Sequence, residues 1–515
     1  MKYSNIITRK LLPVLAIVMI ATFSGCKKFL DTPRQGEYNE ENYPYPGGAG
    51  PYDQFILGAY TDLRGYNVHA DGFIVATSIR SDDADKGSTA SDGGPDVITM
   101  DNFPVLTNNG RANALWTGYY GLINKCNNTI HQITIRNEIV ATEEAKMQAR
   151  AEARFIRGYG YFMLVRLFGR VPKIDTLFAD PAAQNNVPQS TPAEIYSLIE
   201  SDLTFAASFL PAEWDKKFIG RATSGAANGI LAKVYLTQKK WAMAKATAAL
   251  VMNSGKYDLS TPYATIFGES GENSKESVFE IQGRADAQIK TDQGIQYASI
   301  QGVRGATEWN MGWGWNTPST FLEAAYEAND PRKARTILYT STPTTPGITI
   351  YGETTPLGLP NPRYNQKVYT LPSERARVND RFGYWMNVRI LRYADIVLMF
   401  AEASNEMGGA DNIEAARVAL NTVRARARTG APVGTLADRV TTDQGELRDF
   451  IRHERRIELA MEHDRFFDIV RWGIADDAMH NAGKPNFSAA RDALLPIPQA
   501  QIDLSNNVLT QNFGY

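Results

Sequence analysis

Cys26 closes a segment suited to acyl chemistry. Lys2, Arg9 and Lys10 precede a continuous apolar stretch from Leu11 to Phe23, and no acidic residue appears until Asp31. That stretch is too short to cross a bilayer and has the length of an export signal's hydrophobic region. It ends in Ser24-Gly25-Cys26. A plain signal needs no cysteine there, whereas a lipoprotein signal does: its thiol is acylated and the chain is cut just before it. Phe23 is bulkier than the Leu or Val usual before such a site, and a cleaved signal with a chance cysteine is the alternative. The acylated reading removes residues 1–25 and leaves a protein held to a membrane by lipid alone.

A second group could do recognition chemistry. Trp309, Trp313 and Trp315 fall within Trp309-Asn310-Met311-Gly312-Trp313-Gly314-Trp315-Asn316. A sugar ring presents a flat face of polarised C–H groups, which an indole covers while the hydroxyls stay free for polar partners. No regular helix can bury three indoles spaced by Gly, Asn and Met, so some should reach the surface; Tyr297 precedes them in the same irregular region. The alternative for Trp315 is packing, because Gly314-Trp315-Asn316-Thr317-Pro318 leads into a helix at Leu322.

Catalytic and metal-binding patterns are scarce. None of the five histidines has a recognisable spacing; His453-Glu454 would begin a zinc helix only with a histidine where Ile457 stands. His463 reads as a polar helix-end residue. No nucleophile elbow and no phosphate loop occurs. Carboxylates are plentiful, with 56 acidic residues, so counting does not exclude a glycosidase, but nothing places two across a cleft. Asp82-Asp83-Ala84-Asp85 with Gly87 resembles the start of a calcium loop. Gly94, however, stands where the bidentate Glu of an EF-hand belongs. A solvated or backbone-capping role is the stronger reading; a structural calcium remains the other. Cys126 reads as a small buried hydrophobe.

The elements that would position these groups are helices in a globular chain. Of 515 residues, 43% are hydrophobic and 21% charged, with a net charge of -2, which gives no reason to expect a nucleic acid partner. After Cys26 no apolar run is long enough to span a membrane. Thr191-Pro192-Ala193-Glu194 is a capping box opening a helix through Leu210. Thr142 starts a longer helix to Phe168, stopped by Gly169 and apolar on two faces. Ala226–Leu236 with Trp241–Ser254, and Arg392–Met407 with Ile413–Ala427, read as helical hairpins of tetratricopeptide-like spacing. Between and before them, 65–113, 258–310 and 340–388 are rich in irregular segments, where function is expected.

Several stretches resemble the SusD/RagB family of surface lipoproteins. The most distinctive is Glu454-Arg455-Arg456-Ile457-Glu458-Leu459-Ala460-Met461-Glu462 followed by Arg465-Phe466-Phe467-Asp468-Ile469-Val470-Arg471-Trp472. Others agree in order: Arg154-Phe155-Ile156-Arg157-Gly158, Phe168-Gly169-Arg170-Val171-Pro172, Glu276-Ser277-Val278-Phe279-Glu280-Ile281, Arg392-Tyr393-Ala394-Asp395, Asn421-x-x-Arg424-x-Arg426 and Leu495-Pro496-Ile497-Pro498. The terminus Gln511-Asn512-Phe513-Gly514-Tyr515 departs from the usual pattern only at Phe513. By spacing, Glu454, Glu458 and Glu462 could pair with Arg452, Arg455 and Arg456 along one helix, a structural role.

The resemblance implies a mainly α, SusD-like fold: a TPR-like helix-pair superhelix with long irregular insertions and a few short strands. It divides the chain into a signal (1–25), an N-terminal helical region (26–255) and a C-terminal region with insertions and closing helices (256–515). It implies a non-catalytic protein on the outer membrane, facing outward, that captures a glycan and passes it to a TonB-dependent, SusC-like transporter. By the same analogy Arg80, Asp82 and Asn102 are nominated for polar contacts beside Tyr297 and the tryptophans. An oligopeptide-binding member of the family and, further off, a carbohydrate-active enzyme are the other readings.

Overall fold

Thr142 accepts a hydrogen bond from the Ala145 amide, and Glu143 and Glu144 occupy the first turn, so this 26-residue buried helix starts where its cap and macrodipole favour it. It ends at Gly169. The computed structural model describes residues 50–515, apart from 137, 138, 140, 287, 290–292 and 348. Cys26 and the apolar segment before it lie outside the described residues.

The helices of eight or more residues are α1 (Asp53–Leu63), α2 (Gly94–Asn102), α3 (Gly110–Ile135), α4 (Glu143–Phe168), α5 (Pro192–Phe209), α6 (Ser224–Thr237), α7 (Trp241–Met252), α8 (Tyr393–Met407), α9 (Ala410–Ala427), α10 (Gln444–Glu458) and α11 (Arg465–Trp472). Both arms of the Thr191–Glu194 capping box form at the start of α5. As the two apolar faces of α4 require, Ala149, Ile156, Phe155 and Phe162 are all fully buried. Successive helices pack on one another from α3 through α7, and α7 then packs on α8, which packs on α9 and α10. Both hairpins read from the sequence are present. They are neighbours in space although about 140 residues separate α7 from α8.

Short strands close the long excursion between them. β1 is Ala84–Gly87, β2 Ser277–Ile281, β3 Trp315–Pro318, β4 Ile337–Tyr339, β5 Arg363–Asn365 and β6 Val388–Arg392. β2 and β6 pair antiparallel, Val388 opposite Ile281, so the chain leaves and re-enters the array through one two-stranded neck. β1 pairs antiparallel with β3, Gly87 opposite Trp315, which ties the early region to the tryptophan segment. β4 pairs with β5.

Two expectations need correction. The 65–113 region is more ordered than its composition suggests: it holds α2, helical turns at Tyr66–His69 and Asp71–Ile74, and a π-helical turn at Val75–Ile79. Phe73, Ile74, Val75 and Ile79 are buried there, in runs too short to show a helical period. The glutamates of the terminal signature do not pair along their own helix. Glu454 and Glu458 instead meet Arg332, Arg392, Arg424 and Arg426 from other elements. Arg455 turns to Asp395 and Asp468, and Arg456 to Asp83.

Candidate functional site

The tryptophan segment is seated on the helical turn Tyr297–Gln301. The Trp313 amide donates to the Ser299 carbonyl at 2.9 Å, and the Gly314 amide to the Gly302 carbonyl at 2.9 Å. This close approach needs glycine at 312, since a Cβ there would stand 2.2 Å from the Ser299 oxygen. β-Pairing fixes the far end, where Ser88 donates its amide to the Gly314 carbonyl at 2.9 Å.

The three indoles have different fates. Trp315 is buried in the main core and lies below the Arg111 guanidinium at 5.8 Å. Trp309 is only 9% exposed, packed with Tyr364 and Tyr369 in a separate apolar cluster. Trp313 is 36% exposed and meets Trp315 edge-on, with centroids 5.1 Å apart at 75°. A surface indole packed against a buried one is held in a fixed orientation. A polar rim adjoins it through Ser88: the Ser88 hydroxyl accepts from Arg304 at 2.8 Å and donates to Asp92 at 2.5 Å, and Arg304 and Asp92 form an ion pair. Ser88, Asp92 and Arg304 carried no sequence signal, because strand pairing brings them together.

The nominated polar contacts lie mostly in the interior. Asp82 has no exposed surface, and Arg465 grips its carboxylate with two bonds of 2.8 and 2.7 Å. Arg80 is likewise sealed: it donates to the Asp492 carbonyl at 2.7 Å and lies 4.3 Å over the Phe466 ring. Burial lowers its pKa to about 10. Tyr297 is buried, its hydroxyl 2.7 Å from His463 Nε2. His463 is therefore an interior group and not a helix-end polar residue; Thr77 meets its Nδ1 at 3.1 Å, and burial lowers its pKa to about 3. Asn102 is exposed, and its carbonyl accepts from Asn486 at 3.0 Å. Of the nominated residues, Trp313 and Asn102 present exposed surface, and the other five act from inside.

Two of the three carboxylates of the acidic run are not solvated, since Asp82 and Asp83 are taken up by Arg465 and Arg456, whereas Asp85 on β1 is exposed. Among the described residues no cluster of three His, Cys, Asp or Glu side chains could hold a metal ion. Burial pushes the Cys126 thiol well up, which makes it inert. Trp116 is buried, while Trp241 and Trp472 are half-buried in packing positions. The larger cavities, about 580, 460 and 610 Å³, are lined by residues outside the Trp313 face.

Residues 275–515 match the SusD family, and residues 54–236 match a family described as "Starch-binding associating with outer membrane". A SusD-like protein of Formosa agariphila is 29% identical over 97% of this chain and 98% of its own length. A structure described as a laminarin-binding SusD-like protein superposes with a TM-score of 0.73 at 26% identity, covering 90% of this chain and 99% of that one. A SusD homologue from Bacteroides thetaiotaomicron gives 0.76 at 23% identity, covering 94% and 100%. This chain belongs to the SusD/RagB family.

Family membership gives the buried charges their place. The SusD/RagB motifs supply most of an interior lattice in which Arg332, Lys367, Arg392, Arg424 and Arg426 face Glu276, Asp330, Glu454, Glu458 and Glu462. Arg154 and Arg157 of another motif share Asp202. The terminal motif clamps the end of α4: Asn512 donates to the Phe168 and Leu495 carbonyls at 3.0 and 2.7 Å. Phe513, its one departure, is 80% exposed, so the substitution touches no packing. Among the described residues of this SusD-like chain, no helix is long and apolar enough to cross a membrane.

Proposed function

We propose that this chain is a lipid-anchored, non-catalytic glycan-capture protein that works outside the outer membrane and passes its ligand to a TonB-dependent, SusC-like transporter. The observation that carries the binding reading is the exposed indole of Trp313, held edge-on by buried Trp315 and bordered by Ser88, Asp92 and Arg304. An apolar ring face beside fixed hydrogen-bonding groups suits a pyranose, which needs both. A relative named for laminarin binding shares the fold at 26% identity, and the family description that names starch binding covers the segment holding Ser88 and Asp92. Acylation of Cys26 supplies the anchor in this reading.

Affinity electrophoresis of the soluble chain through gels containing laminarin, starch and other neutral glycans tests the proposal. At least one glycan should retard the wild type, and Trp313→Ala should weaken binding about tenfold or more, some 1.4 kcal/mol. A Trp313→Ala protein retarded as strongly as wild type would refute the assignment of this face. Release of shorter products from the bound glycan would refute the non-catalytic reading.

A further inference from the structure

A cavity of about 580 Å³ lies between the inserted region and the end of α9, and it shares no lining residue with the Trp313 face. Arg332, Arg335 and Arg426 line it, and no carboxylate does. Arg332 and Arg426 are occupied by buried carboxylates. Arg335 is half-buried, and its guanidinium has no hydrogen bond or ion pair among the described residues. Two further atoms on lining residues are buried without partners: Gln366 Oε1, on a residue 7% exposed, and Arg426 Nε. Buried polar atoms left unpaired are costly and uncommon in folded proteins. Here they accompany a cation free to bind. One wall is the Tyr351 ring, 43% exposed and backed by Tyr369 at 6.2 Å; Leu259, Pro262 and Pro331 add apolar surface.

We propose that this cavity is a second ligand site, independent of the Trp313 face, that takes an acidic sugar of the uronate type. Arg335 receives the carboxylate, for which a guanidinium fork offers paired charge-assisted bonds. Gln366 Oε1 accepts from a ring hydroxyl, and Tyr351 covers the pyranose face. A bare inorganic anion would leave Tyr351 and the apolar wall unused. A neutral sugar would leave Arg335 uncompensated. The volume lies in the range of small-ligand sites.

Calorimetric titration of the soluble chain with a galacturonic acid dimer and with the neutral galactose dimer tests this. The acidic dimer should bind about tenfold or more tightly than the neutral one, the size of one charge-assisted hydrogen bond. Arg335→Ala should remove that preference and Arg335→Lys should restore part of it. Gln366→Leu should weaken both dimers, and Trp313→Ala should leave the preference intact. Equal affinity for the two dimers would overturn the proposal, as would a preference that survives Arg335→Ala. So would competition by sulfate as strong as by the dimer, marking a simple anion site, or tighter binding of an acidic dipeptide, marking a peptide site.

Discussion

Replacing Glu458 by Gln removes one negative charge from the middle of the buried lattice while keeping side-chain size. Glu458 is fully buried and touches Arg332 and Arg392 at 3.0 Å and Arg426 at 2.5 Å. Burial alone would push its carboxyl up, but Arg426, Arg392 and Arg332 together hold it well below the usual carboxylate range. With Gln there, Arg332, Arg392 and Arg426 each lose one carboxylate charge at a position closed to solvent. Breaking a buried pair by removing one partner costs about 3–5 kcal/mol, a large share of a typical total stability of about 5–15 kcal/mol. For a folded unit of about 470 residues, an unfolding entropy of about 2 cal/mol/K per residue converts this to a fall in Tm of about 3–5 °C. The control is Glu414→Gln, which breaks the exposed Arg417–Glu414 pair on α9 and should cost less than about 0.5 kcal/mol. Urea titration and thermal melts of wild type and both variants at pH 7 measure the difference. Equal losses for Glu458→Gln and Glu414→Gln would refute the reasoning, because the same chemical change would then be indifferent to burial.

Trp315→Ala should destabilise the fold by about 3–5 kcal/mol, since that indole is buried in the main core; Trp313→Ala should cost less than about 1 kcal/mol, and similar melts for the two would contradict the division into prop and platform. His69 and His463 are buried, with pKa lowered by burial to about 4 and about 3. An unfolded chain takes up those two protons below about pH 6.5 and the folded one does not, so each histidine costs about 1.4 kcal/mol of stability per pH unit from there down towards its folded value. Urea titrations at pH 7 and pH 5 should show this loss, and His463→Gln should have a shallower pH dependence; an unchanged slope would show that His463 is not buried neutral. Cys26→Ala in cells should move the protein from the membrane fraction to the soluble fraction and abolish labelling by an alkyne fatty acid, and membrane retention without label would exclude the lipid anchor.

The local rules of the chain were sufficient for the helical frame. Thr142, the Thr191–Glu194 box, Gly169 and the Gly408-Gly409 break mark helix ends through caps and φ > 0 positions, which depend on a few adjacent residues. The family motifs were equally legible, as words of sequence. What Glu454, Glu458, Arg424 and Arg426 do was not: their partners Arg332, Arg392 and Glu276 lie 66 to 150 residues away, and spacing along one helix suggested the wrong pairs for the glutamates. The candidate face was half readable. Composition singled out the three indoles, but exposure depends on which side of a strand or turn each occupies. Ser88, Asp92 and Arg304 meet only because β1 pairs with β3, and Arg80 and Asp82, polar by type, are drawn inside because Asp492 and Arg465 wait there for them. Sequence fixes what can be satisfied between near neighbours. Burial and long-range charge pairing are properties of the assembled fold, and here they decide that Trp313 is exposed while Trp309 and Trp315 are not.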